Sequence, residues 1–189
     1  MKKFFITVVV LIIGAAALYY ALWFYVVRIN FPTDDNRTSI TNEDGDLRPD
    51  PSNATFIFDD GVITLSQGRN ERVITPGSDF TEETALLDKL AYGDINNDKK
   101  EDVAVLLTRY GGGSGTFIYL AVFVSGPVTY RGSNAIFLGD RISPQSISIS
   151  NRVITLEYLD RKSDEPFAAE PTVLVSKQFV YLNGELRER

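Results

Sequence analysis

Cysteine and histidine are both missing from this chain, and its only methionine is Met1. Without cysteine there is no disulfide, no thiol nucleophile and no site for bacterial lipoprotein processing. Without histidine there is no imidazole general base, and the two absences together remove every nitrogen or sulfur side-chain ligand for zinc, copper or haem. An excess of basic residues is lacking too. Lysine and arginine number 19 against 25 acids, a net charge of −6, so the bulk charge offers nucleic acid no basic face. No repeat is visible at any period, which argues against a propeller or a dockerin-like array. What is left is oxygen chemistry: carboxylates, amides, hydroxyls and carbonyls.

The 189 residues, 44% of them hydrophobic, suffice for one domain with a substantial core. The most conspicuous feature lies before that domain. From Phe4 to Val27 run 24 residues without a charged side chain. As a helix they would be about 36 Å long, against a hydrocarbon core of about 30 Å, so residues 4–27 are expected to span a lipid bilayer. Lys2 and Lys3 precede the run, while Arg28 after it is soon diluted by Asp34 and Asp35. This asymmetry predicts a cytoplasmic N-terminus and an exported C-terminal part in the cell membrane. Tyr19, Tyr20, Trp23 and Tyr25 cluster toward the outer end, where amphipathic rings favour the interface. The alternative is a secreted protein whose signal peptide is cleaved near Ala15, Ala16 and Ala17, although Leu18 to Val27 would then begin the mature chain with an apolar run.

Setting Lys2, Lys3 and Arg28 aside from the 19 basic residues leaves 16 against 25 acidic ones, so the exported part carries −9. Residues 29–52, rich in Asp, Asn, Thr, Pro and Gly, read as a flexible tether between the anchor (1–28) and a domain over 53–189. In that domain short apolar or alternating runs are separated by turn residues, which predicts an all-β fold: an antiparallel sandwich or partly closed barrel. Ala54 to Phe58 and Val62 to Leu65 flank Asp59-Asp60-Gly61 as a hairpin. Ser146 to Ser150 alternates and turns at Asn151 into Val153 to Leu159, and a run from Thr172 to Leu182 stops at Asn183-Gly184. Val103 to Leu107 and Phe117 to Val124 are apolar on both faces, which predicts two paired central strands joined by a hairpin loop over 110–115. Thr81 to Tyr92 reads either as a short helix, with Asp79 and Glu82 as a capping box, or as a strand.

The chemistry concentrates between that stretch and the first central strand, in Asp94-Ile95-Asn96-Asn97-Asp98-Lys99-Lys100-Glu101-Asp102. Side-chain oxygens at the first, third, fifth and ninth places and a carbonyl from the seventh can converge on one hard cation when the chain curls around it. The candidate metal ligands are therefore Asp94, Asn96, Asp98, Lys100 through its carbonyl, and Asp102, with Ca²⁺ as the candidate cofactor. The competing account is a polar turn in which Asp94, Asn96 and Asp98 accept backbone N–H groups.

At these residues the loop resembles the calcium loops of dockerins, EF-hands and FG-GAP-type repeats. Lys99 stands where those loops carry a glycine in the left-handed conformation, which costs a non-glycine residue about 1 kcal/mol. Val105 stands at the twelfth place, where an EF-hand has its bidentate acid; the FG-GAP-type loop ends with an aspartate at the ninth, here Asp102. More widely, Gly93 to Asp98 with Glu101-Asp102-Val103-Ala104, Gly112 to Phe117, and Leu138 to Ile142 with Pro144-Gln145 resemble a bacterial exported domain family of unknown function, tethered or secreted and sometimes found beside META-type domains. Tyr158 to Pro166 and Val175 to Lys177 extend that resemblance, which implies an envelope location but no activity.

Other motifs carry less. Gly111 to Gly115 lacks the Gly-Lys-Ser/Thr and the following helix of a phosphate-binding loop, so it reads as a hairpin connection. Asp140-Arg141 and Asp160-Arg161 read as parts of cross-strand ion pairs. A carboxylate pair from Asp59, Asp60, Asp140 or Asp160 would suit glycoside hydrolysis. Ser176 and Lys177 are adjacent on a strand, so their side chains diverge. The sequence thus predicts a non-catalytic binding or structural module at the envelope, with its envelope protein or polymer partner left open. A metal-dependent or carboxylate hydrolase acting on an envelope polymer is the alternative.

Overall fold

A computed structural model describes residues 39–41, 47–74, 77, 79–166 and 168–189. The expected membrane helix over 4–27, its orientation and most of the expected tether lie outside the described residues. Among the described residues 63% are strand and there is no α-helix, so the domain is mainly β. No helix among them is long and apolar enough to cross a membrane.

The strands in chain order are β1 (Ser39–Thr41), β2 (Leu47–Pro49), β3 (Thr55–Phe58), β4 (Gly61–Thr64), β5 (Arg69–Val73), β6 (Thr81–Gly93), β7 (Asp102–Gly111), β8 (Phe117–Ser125), β9 (Tyr130–Gly132), β10 (Ile136–Asp140), β11 (Ser143–Ser150), β12 (Val153–Asp160), β13 (Val173–Leu182) and β14 (Glu185–Glu188). A central antiparallel sheet has the order β10-β8-β7-β6-β5, with β9 also paired to β8, and it curls into a half-barrel. A second sheet is the meander β11-β12-β13-β14, and β3-β4 and β1-β2 are separate hairpins.

The doubly apolar runs form the adjacent central strands β7 and β8, in a register that places Val103 opposite Phe123 and Arg109 opposite Phe117. Alternation along them divides the core in two. Ala104, Leu106, Leu120 and Val122 pack with Ile154, Leu156, Tyr158 and Phe179 of the meander. Val103, Val105, Leu107, Ala121 and Phe123 pack with Phe56, Phe58 and Ile63 of the β3-β4 hairpin. A strand covered on both faces has no solvated side on which to place polar residues, which is why neither run alternates.

The turns follow their residue types. Asn151 and Arg152 both have positive φ (51° and 66°), as do Asn183 and Gly184 (54° and 88°), so each pair forms the tight two-residue connection that matches strand twist. The ambiguous stretch is a strand. β6 pairs with β5 on one side and β7 on the other, and the pairing supplies the backbone partners that a helix would have found internally. Glu82 does not cap a helix; it receives Arg72 and Arg109 side-chain donors. The fold also reaches back to Leu47, inside the stretch read as tether: β2 pairs with β1, and Pro49 and Pro51 are buried.

Candidate functional site

The loop from Asp94 to Glu101 joins β6 to β7, closing on the last register pair, Gly93 with Asp102. One apolar residue fixes its base. Ile95, the second loop residue, is 2% exposed and lies in the core beneath the meander. Two left-handed residues then curl the chain: Asn97 at φ 68° and Lys99 at φ 67°. Lys99 adopts the conformation that its place in the loop predicts.

The curl turns backbone N–H groups inward, and the loop's own acids accept them. Asp94 Oδ1 accepts from Asn97 N at 2.6 Å and Asp98 N at 3.2 Å, and its Oδ2 accepts from Lys99 N at 3.0 Å. Asn96 Oδ1 accepts from Asp98 N at 3.0 Å, while Asp98 Oδ1 accepts from Lys100 N at 2.9 Å. Asp102 is fully buried. Its Oδ2 accepts from Ile95 N at 2.8 Å and Asn96 N at 3.3 Å, and its Oδ1 accepts from Ser125 N at 2.8 Å.

Ser125, the last residue of β8, is the contact that the sequence does not reveal. Its hydroxyl donates to Asp98 Oδ2, and its carbonyl accepts from Asn96 Nδ2 at 2.8 Å. Lys100 Nζ reaches the Gly126 carbonyl at 3.4 Å, and the Tyr130 hydroxyl donates to the Glu101 carbonyl at 3.0 Å. The loop is thereby held to β8 and β9 as well as to the strands it joins. Nothing in the sequence links residue 125 to residues 94–102; the pairing of β7 with β8 brings them together.

Burial pushes the Asp102 carboxyl above the usual carboxylate range, against the N–H groups of Ser125, Ile95 and Asn96, which favour its charged form. At Asp98 burial also works upward, but the Ser125 hydroxyl and the Lys100 N–H prevail and hold it below the usual range. All five sequence-predicted ligands are therefore in one loop, and both oxygens of Asp94, Asp98 and Asp102 accept hydrogen bonds. Among the described residues no group of three or more acidic side chains is arranged to hold a metal ion. A shallow open depression of about 410 Å³ lies beside the loop, lined by Gly93, Asp94, Asn97, Ile149, Asn151 and Arg152.

The other candidate residues sit elsewhere in the fold. Asp60, in the β3-β4 turn, accepts from both guanidinium nitrogens of Arg109, one of them at 2.7 Å, and pairs with Arg72. Glu82 joins the same cluster, contacting Arg109 at 2.7 Å and Arg72 at 2.6 Å. Arg109 holds the Asp60 carboxyl well below its ordinary range. Asp140 accepts the Thr116 N–H at 2.8 Å and lies 3.8 Å from its neighbour Arg141, which turns out of the strand at φ 53° and donates to the Ser114 carbonyl. Arg161 donates to the carbonyls of Asp140, Arg141 and Ala169. The two Asp-Arg dipeptides thus fasten loops through backbone carbonyls. Lys177 pairs with Glu188 of β14 at 3.0 Å, and Ser176 lies in register with Glu157.

No family model, no curated protein and no solved structure matches this chain.

Proposed function

We propose that the protein is a membrane-anchored, extracytoplasmic β module with a non-catalytic binding or structural role, in which a sandwich of sheets is closed by the Asp94–Asp102 loop acting as a clasp. The observation that carries this reading is the hydrogen-bond pattern of the loop: its three aspartates accept backbone N–H groups and the Ser125 hydroxyl, the arrangement of a structural element. Of the acids considered for a hydrolytic pair, Asp60 is engaged by arginines, and Asp140 and Asp160 each accept a backbone N–H. The apolar run over 4–27 and its flanking charges support the anchor and its orientation. An envelope protein or polymer is the partner class that this location implies. With the full chain expressed in bacteria, protease added from outside the cytoplasmic membrane should remove the domain while leaving an anchored N-terminal fragment. Protection of the domain would reverse the orientation, and a soluble product lacking residues 1–17 would favour signal-peptide cleavage.

One observation favours a second reading of the loop. Asn97 and Lys99 already hold the left-handed backbone that a calcium loop needs, and Asp94 Oδ2, both oxygens of Asp98 and Asp102 Oδ1 each accept one hydrogen bond, which leaves a lone pair on each. In this reading Asp94, Asn96, Asp98, the Lys100 carbonyl and Asp102 take a calcium ion, whose charge would relieve the crowding of the three acids. Thermal melting of the full chain in detergent with calcium, magnesium or chelator separates the two. An ion at 100 times its Kd stabilises the native state by about 2.7 kcal/mol, whereas a clasp that needs no ion leaves the midpoint unchanged.

A further inference from the structure

The N-terminal end of the continuous fold rests on the neck of the same loop. β2 lies against β7 and β8. Its central residue, Arg48, places its guanidinium 4.9 Å over the ring of Tyr92 and its Nε 2.9 Å from the Glu101 carboxylate. Tyr92 is in β6 two residues before Asp94, and Glu101 immediately precedes Asp102. One side chain therefore touches the chain on both sides of the neck, at Tyr92 in β6 and at Glu101 in the last place of the loop. Beyond Arg48 the segment is fixed at several points. Pro49 and Pro51 are buried, Asp50 accepts the Ser52 N–H at 2.9 Å, the Ser52 carbonyl accepts the Gly68 N–H at 2.7 Å, and Asn53 Oδ1 accepts the Gln67 N–H at 3.0 Å. The Arg48 and Glu101 side chains as wholes are 38% and 34% exposed, so solvent screens their attraction in part, although Arg48 Nε itself is buried.

We infer that residues 47–53 form a strap latched by Arg48 to the neck of the 94–102 loop, so that docking of the strap and order in the loop are one coupled equilibrium. Coupling of this kind is reciprocal: whatever loosens the loop loosens the strap to the same degree, and a pull on the chain before Leu47 is felt at Asp94–Asp102. The strap thus provides a route between the N-terminal segment and the loop, whichever of the two readings of the loop holds.

Amide hydrogen exchange on the full chain in detergent, with chelator present throughout, tests the coupling. Arg48→Ala should speed exchange about fivefold in residues 47–53 and also in residues 95–100, the loss of one screened ion pair and one cation–π contact. Ser125→Ala, which removes the hydroxyl from Asp98 without touching the strap, should speed exchange in both segments, and Arg48→Lys should restore part of the protection. Amides of β12 and β13 serve as the reference for global stability. If Ser125→Ala alters those, Asp98→Asn, which changes the acceptor of the Ser125 hydroxyl and the Lys100 N–H, replaces it. Acceleration confined to the mutated segment, with the other unchanged, overturns the inference.

Discussion

The backbone N–H of Ser125 donates to the buried carboxylate of Asp102 at 2.8 Å, so the last residue of β8 and the first of β7 share one charge at the neck of the loop. Two further N–H groups, from Ile95 and Asn96, point at the other oxygen of the same carboxylate. Asp102→Asn keeps the shape but turns an amide NH₂ toward N–H donors. Urea melting should show a loss of about 2–4 kcal/mol, because hydrogen bonds to a buried charge are replaced by an unsatisfied donor. Asp94→Asn, where the N–H partners face solvent, should cost about 1 kcal/mol or less. Equal losses at the two positions would contradict the role assigned to Asp102.

At Gly132 a side chain has no space. A Cβ there would overlap the Thr55 carbonyl oxygen and meet Phe56 Cδ1 at 2.8 Å, because β9 runs directly against β3. Gly132→Ala should lower stability by about 1–3 kcal/mol through displacement of the β3-β4 hairpin. Increased exposure of Phe56 and Phe58, read as faster exchange in β3, should accompany the loss. Gly184→Ala, with open space around it but φ at 88°, should cost only the backbone strain of about 1 kcal/mol.

The chain contains no histidine and no cysteine, so no side chain has an ordinary pKa between the carboxylate and tyrosine ranges. Stability should be flat from about pH 6 to 9. Below that plateau Asp60 and Glu82 decide the slope. Arg109 lowers Asp60 most; at Glu82 burial works upward but the hydrogen bonds from Arg109 and Arg72 outweigh it. A carboxyl whose folded pKa lies below its unfolded value contributes stability above the unfolded pKa and loses it as pH falls through the folded one. Acid should therefore destabilise the domain below the usual carboxylate range, and Asp60→Asn with Glu82→Gln should flatten that limb in pH-dependent melts. Asp102 acts in the opposite sense, since its raised pKa favours the protonated form on folding, so Asp102→Asn should steepen the acid loss. At the alkaline end, burial raises Tyr158 and Tyr181, and their contribution is lost as pH rises above about 10.

The parts of the fold that were legible were those whose pattern has a local cause. Val103 to Leu107 and Phe117 to Val124 announced two central strands because burial on both faces leaves no polar side, and Asn151 and Asn183-Gly184 announced turns because left-handed backbone favours those residues. β5 has no such signature, since an exposed edge strand reading Arg-Asn-Glu-Arg-Val has no apolar alternation. β6 remained ambiguous because leucines at 86, 87 and 90 suit a helix face; the partners that made it a strand lie elsewhere in the chain. The loop's acids and the backbone of Lys99 were visible from spacing. Ser125, Arg48 and the burial of Ile95 were not, since each depends on strand register or on packing between distant segments.

The most direct measurement of the clasp is amide hydrogen exchange of the loop in the full chain, recorded in chelator. The account predicts that the N–H groups of Ile95, Asn97, Lys99 and Ser125 are protected at least about tenfold relative to an unstructured chain before any metal is added, because Asp94 and Asp102 already accept them. Exchange of these amides at the unprotected rate in chelator, with protection appearing only on addition of calcium, would contradict it.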